Sequence, residues 1–143
     1  MNAARGAVVT RVMPAPPEAV YDEWLDQTAL AEFMCPSPDT RATIIACDPR
    51  IGGKLTIVMG DPAGDVHISG EYVTLERPRL LSFTWRHEGG VDSVVTITFE
   101  PHGEDQTLMT IDHVQLPPHL VPGHEAGWTS IAEHLETRLK PRH

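Results

Sequence analysis

The stretch Leu80-Leu81-Ser82-Phe83-Thr84-Trp85-Arg86-His87 decides the fold. From Leu81 onward an extended chain places Leu81, Phe83, Trp85 and His87 on one side and Ser82, Thr84 and Arg86 on the other. A helix would scatter these residues around its circumference, whereas a half-buried strand sorts them. Arg77-Pro78 precedes the stretch and Gly89-Gly90 follows it, and both pairs are turn formers that stop a strand from running on.

Working outward, the same period of two governs residues 41–114. It predicts strands over 42–47, 54–59, 66–76, 80–87, 91–100 and 107–114. Asp48-Pro49-Arg50-Ile51-Gly52-Gly53, Gly60-Asp61-Pro62-Ala63-Gly64 and Pro101-His102-Gly103 read as the longer separators. One face collects Leu55, Ile57, Met59, Ile68, Tyr72, Val95, Ile97, Phe99, Met109 and Ile111, and the other carries Thr96, Thr98, Glu100, Thr110 and Asp112. Short connections between such strands imply an antiparallel meander with one wet face.

Upstream, residues 8–13 are rich in valine and stop at Pro14, Pro16 and Pro17, which adds a first strand. Pro17 suits a first helical turn, and Val20, Tyr21, Trp24 and Leu25 follow at helical spacing. Thr28 is the expected cap of a second short helix carrying Leu30, Phe33 and Met34 before Pro36 and Pro38 end it. Downstream, residues 123–139 carry Trp128, Ile131, Leu135 and Leu139 at helical spacing, a rod of roughly 25 Å. A sheet that is apolar on one face must bury that face, and this helix is the available cover. The expected class is therefore α+β: a curved antiparallel sheet of about seven strands wrapped on a long C-terminal helix, with two short helices after strand one. The whole chain, 1–143, reads as a single domain.

Eleven Lys and Arg face twenty Asp and Glu, a net charge of -9, and Lys54 and Lys140 are the only lysines. A nucleic-acid partner is not expected from such a balance. Cys35 and Cys47 are too few for a disulfide framework, which fits a reducing compartment, so a cytoplasmic location is the expectation. No apolar run approaches the eighteen or so residues of a membrane span, and the first six residues lack the apolar region of an export signal.

Several local strings resemble the START-like helix-grip superfamily, also called SRPBCC. They are Pro17-Glu18-Ala19-Val20-Tyr21-Asp22-Glu23-Trp24, Ile51-Gly52-Gly53-Lys54-Leu55, Gly70-Glu71-Tyr72-Val73, Arg77-Pro78-Arg79-Leu80-Leu81-Ser82-Phe83-Thr84-Trp85 and Gly127-Trp128. More narrowly, the chain is similar over about residues 8–139 to the group named for the C-terminal domain of the activator of the heat-shock-protein-90 ATPase. The resemblance implies an internal cavity between the long helix and the concave sheet, able to hold a small hydrophobic or aromatic molecule without a cofactor. Its expected lining is Trp24, Phe33, Met34, Ile57, Met59, Ile68, Tyr72, Phe83, Trp85, His87, Ile97, Met109, Ile111, His113, Trp128 and Ile131. Such folds also host cyclases and other enzymes as well as co-chaperones, so two alternatives stand beside ligand binding. One is a cyclase or hydrolase acting on a bound aromatic substrate; the other is a chaperone-associated interaction protein. A homodimer is compatible with the resemblance.

Among the polar candidates, Tyr72 and Trp85 read first as core residues with one satisfied polar tip. His87 and His113 share the inward parity and are the residues that could bind a ligand or move a proton near neutral pH. His113, His119, His124 and His134 invite a metal, but their spacings place no pair four apart on a helix and match no zinc pattern, so no metal is expected. Gly52-Gly53 lacks the Lys-Ser or Lys-Thr ending of a phosphate loop and reads as a tight turn.

Overall fold

The computed structural model describes residues 6–87, 90 and 92–140. In chain order the elements are β1 (Ala7–Met13), α1 (Pro17–Glu23), α2 (Gln27–Phe33), β2 (Arg41–Cys47), β3 (Lys54–Asp61), β4 (Gly64–Glu76), β5 (Leu80–His87), β6 (Asp92–His102) and β7 (Gln106–Val114). A 3₁₀ turn over Pro118–Leu120 then leads into α3 (Val121–Leu139). All seven strands form one antiparallel sheet in the order β1-β7-β6-β5-β4-β3-β2, with β1 and β2 at its open edges.

The alternation of the sequence becomes a burial pattern. Leu55, Ile57, Met59, Ile68, Tyr72, Leu81, Phe83, Trp85, Val95, Ile97, Phe99, Met109 and Ile111 are all buried on the face that receives the helices. The opposite face is mostly half-exposed; Ser82, expected there, is buried. Register shifts in β2 between Ile44 and Ala46, and between β4 and β5 near Tyr72 and Thr74, interrupt the ladder, and such irregularities bend and twist a strand. Near the second shift Gly70 lies so close to β5 that a Cβ would sit 2.0 Å from the Thr84 carbonyl oxygen, so the approach requires glycine.

Boundaries differ from the sequence expectation where proline was read as a stop. β6 continues through Pro101, which pairs with Thr107 of β7, while the pairing of β6 with β5 ends at Thr98. Past that point β6 has a neighbour on one side only, so a residue without an N–H is tolerated. The turn therefore falls at Gly103, whose φ is 73°. Likewise α3 begins at Val121 rather than at residue 123, because Pro122 occupies its first turn, where the missing N–H would be unpaired anyway. Val91, expected to open a strand, lies outside the described residues. The cap of α2 is Asp26 rather than Thr28: its carboxylate accepts from the Thr28 and Ala29 amides at 2.9 and 3.3 Å.

The core lies between the sheet and its helical cover. Trp24 meets Phe33 edge-on with ring centroids 4.9 Å apart and stands 6.4 Å from Trp128, while Tyr21 packs edge-on against Phe99 at 5.4 Å. α3 contributes Trp128, Ile131, Ala132 and Leu135 to this interior. No helix among the described residues is long and apolar enough to cross a membrane.

Candidate functional site

The site grows out of the end of β5. Strand alternation carries Trp85 and His87 onto the covered face, and Ile68 of β4 pairs directly with His87. β3 and β4 extend beyond this point as a hairpin whose Asp61 carboxylate accepts from the Ala63 and Gly64 amides at 2.8 and 3.1 Å. Opposite, the first turns of α3 bring His124, Trp128 and Ile131 onto one face, since residues three and four apart are neighbours on a helix.

Between these walls lies a groove of about 360 Å³. Met59, Val66, Ile68 and Trp85 line it from the sheet, Leu120, Gly127, Trp128 and Ile131 from the helical side, and Pro36 from the loop after α2. Its polar rim is Thr40, Asp61, His87, His119 and His124. Gly127 allows the close approach of α3 to that loop, because a Cβ there would lie 3.2 Å from the Pro36 Cβ. A second hollow of about 200 Å³ shares His87, Leu120 and His124 with the groove, so the two histidines stand between the spaces.

Three histidines gather here from distant parts of the chain. The ring centroids of His87 and His124 are 5.5 Å apart and their Nε2 atoms 3.3 Å apart, while His113 and His124 lie 5.1 Å apart. His124 Nδ1 donates to the Leu120 carbonyl at 3.0 Å, the only role open to it against an acceptor, so a ring that carries a single proton presents its Nε2 lone pair. Burial, and then the neighbouring His124, push the His87 pKa below the ordinary imidazole value, so His87 is neutral at physiological pH.

His113 is locked behind the wall. The Trp128 indole N–H donates to its Nδ1 at 2.9 Å, its Nε2–H donates to Ser93 Oγ at 2.7 Å, and Ser93 donates on to the Trp85 carbonyl at 2.9 Å. An indole can only donate, so this chain fixes the tautomer. Burial first, and then His124 and His87, hold the His113 pKa down at about 3. Tyr72 is also committed: its hydroxyl donates to the Trp24 carbonyl at 3.2 Å and lies 3.5 Å from Cys47 Sγ, and burial raises its pKa.

Of the residues expected to line a cavity, Met59, Ile68, Trp85, His87, Trp128 and Ile131 border the groove. Trp24, Phe33, Met34, Tyr72 and Phe83 instead pack in the buried aromatic centre. Ile57, Ile97, Met109 and Ile111 belong to the buried sheet face, and His113 sits behind Trp128. Sequence reasoning missed Val66, Leu120 and the partnership of His124 with His87; the His124–Trp128 spacing of four was the available signal for the helix face. Among the described residues no group of three or more His, Cys, Asp and Glu is arranged to hold a metal ion.

Comparison with curated proteins finds no match. Among solved structures, a crystal structure of a Chromobacterium violaceum protein aligns with a TM-score of 0.85 at 27% identity, covering 96% of this chain and 99% of that one. A Silicibacter pomeroyi protein bearing the name AHSA1 aligns at 0.80 with 24% identity, over 94% of this chain and 96% of its own. A Mycobacterium smegmatis protein aligns at 0.78 with 20% identity, over 95% and 91%. The last two likenesses concern the fold alone. The family described as Activator of Hsp90 ATPase homolog 1-like protein matches residues 14–140, and the chain, a helix-grip domain, belongs to that family.

Proposed function

We propose that this protein binds a small hydrophobic or aromatic molecule in the groove between α3 and the β3–β5 end of the sheet. The observation that carries the reading is a hollow of about 360 Å³ walled by Met59, Val66, Ile68, Trp85, Trp128 and Ile131. Its size falls within the roughly 300–1,000 Å³ of small-molecule sites, and its mostly apolar wall with a few convergent polar groups has their composition. Every Å² of apolar wall covered by a guest is worth roughly 25 cal/mol, so an apolar guest has a driving force that a polar one lacks.

Binding is favoured over proton-transfer chemistry by where the acid–base candidates spend their polar atoms. Tyr72 and His113 bond to the fold itself, and of the three candidates only His87 borders the groove. Titration with Nile red, an uncharged apolar fluorophore, tests the reading. One saturable site is expected, and Val66→Glu or Leu120→Glu, at rim positions 44% and 36% exposed, weakens it at least about tenfold without moving the unfolding midpoint. Non-saturable uptake, or equal affinity in both variants, rejects it.

A further inference from the structure

We infer that the groove selects a guest whose polar head is a neutral hydroxyl, an alcohol or a phenol, received at the His87–His124 pair. This rests on the reading of the groove as a binding site and specifies what it binds. The donors and acceptors of this pair do not balance. Two neutral imidazoles carry two N–H groups and two lone pairs. One N–H, that of His124 Nδ1, is used by the Leu120 carbonyl. At a separation of 3.3 Å the two Nε2 atoms share at most one hydrogen bond, which consumes the second N–H and one lone pair. One acceptor is left over and no donor. If His87 takes its other tautomer, two lone pairs face each other across 3.3 Å and the demand for a donor between them is greater still.

The Trp85 indole Nε1–H, by contrast, is sealed behind the wall and is out of a guest's reach. A hydroxyl is the smallest neutral head that donates to the lone pair left over at the histidine pair. A carboxylate accepts only, and it would enter a rim that, among the described residues, holds Asp61 and no Lys or Arg, on a chain of net charge -9. An ammonium also donates, but it must give up the hydration of a full charge to enter a wall made mostly of Met59, Val66, Ile68, Trp85, Trp128 and Ile131. A hydrocarbon leaves that lone pair unanswered.

Three probes with one ring system separate these cases: naphthol, methylnaphthalene and naphthoate, titrated at neutral pH against tryptophan fluorescence. The expected order of affinity is naphthol, then methylnaphthalene, then naphthoate, with naphthol ahead by about tenfold, the worth of a well-placed hydrogen bond. In the double variant His87→Phe/His124→Phe the naphthol advantage shrinks to within about threefold while methylnaphthalene still binds. His124→Leu alone, at a half-buried position, gives the same loss if the double variant folds poorly. Naphthoate binding as tightly as naphthol overturns the inference, as does a naphthol advantage that survives both variants. If methylnaphthalene binds and is blocked by Val66→Glu but naphthol gains nothing, the head-group inference alone fails. If none of the three binds, the groove reading fails with it.

Discussion

α3 meets the rest of the molecule differently at its two ends. Toward its C-terminus, Ala132 and Leu135 are buried with the aromatic cluster of Trp24, Tyr21, Phe33 and Phe99. Charged side chains clamp the rim of this closed end: Arg138 bridges Glu23 of α1 and Glu32 of α2, and Arg11 of β1 reaches Glu136. Toward its N-terminus, the same helix stands off from β3 and β4, and the interval is rimmed by histidines rather than by ion pairs. The difference teaches that stability and binding are divided along one helix. The dry end can be tight because two short helices supply its aromatic filling, and the open end can be spared filling because the dry end holds the helix in place.

The sharpest way to break that contrast is to empty the dry end. Trp24→Ala removes the ring that touches both Phe33 and Trp128. It is expected to lower the unfolding free energy in urea by about 3–5 kcal/mol, as large-to-small core changes do. Val66→Ala, at the open end, is expected to cost less than about 1 kcal/mol because its side chain is already 44% exposed. Equal losses at the two positions would erase the proposed division of labour.

Next in size is an acid effect centred on His113, which joins the two ends through Trp128. In the unfolded chain this imidazole takes up a proton near pH 6.5, whereas in the fold it resists to about pH 3. Between those values the unfolded state binds more protons, so stability falls as pH falls, by up to about 1.4 kcal/mol per pH unit from this one group. His87, also lowered, acts in the same direction. His113→Gln should flatten the urea-midpoint profile below pH 6.5 while lowering stability at pH 8 by about 1–3 kcal/mol, since Trp128 Nε1–H and Ser93 lose their present partner. An unchanged acid slope in the variant would remove His113 as its source. Smaller again is Arg138→Ala at the clamped rim. A partly exposed ion-pair network is worth about 1 kcal/mol, and salt should shrink the difference between variant and parent.

Strand alternation made the fold legible because a period of two is a local property: Leu81, Phe83 and Trp85 carry their burial in their own spacing. The site was legible to the extent that it lies on that sheet. Met59, Ile68, Trp85 and His87 border the groove from positions that parity alone assigns to the covered face. Parity does not say how far the helix stands from each of them, so Ile57 and Phe83, with the same parity, are sealed in the core. The His87–His124 contact spans thirty-seven residues and depends on the phase of α3 over β5, which no spacing within either element encodes. Thr28 and Pro101 mark a different limit. The first competes with a better cap two residues earlier, and the second is allowed in a strand only because its neighbour on one side has ended.

The finest test is Gly127→Ala, where the two ends of α3 hand over. Within a helix, alanine is more favourable than glycine by about 0.8–1.0 kcal/mol, which alone would stabilise the protein. The new methyl group, however, would sit 3.2 Å from the Pro36 Cβ, closer than ordinary contact, so either the loop or the helix must give by a few tenths of an ångström. Pro36 lies in the half-buried loop after α2, and the neighbouring Cys35 carbonyl accepts from Ser130 Oγ of α3 at 3.2 Å. The loop is therefore expected to yield, and the net change in stability to stay within about 0.5 kcal/mol of zero, read by urea unfolding. Nile red affinity is expected to drop, because Pro36 and Gly127 are both walls of the groove and the displaced loop changes its width. A destabilisation above about 2 kcal/mol would instead mean that α3 is as tightly packed at this turn as at Leu135, and that the open end begins farther toward the N-terminus than Gly127.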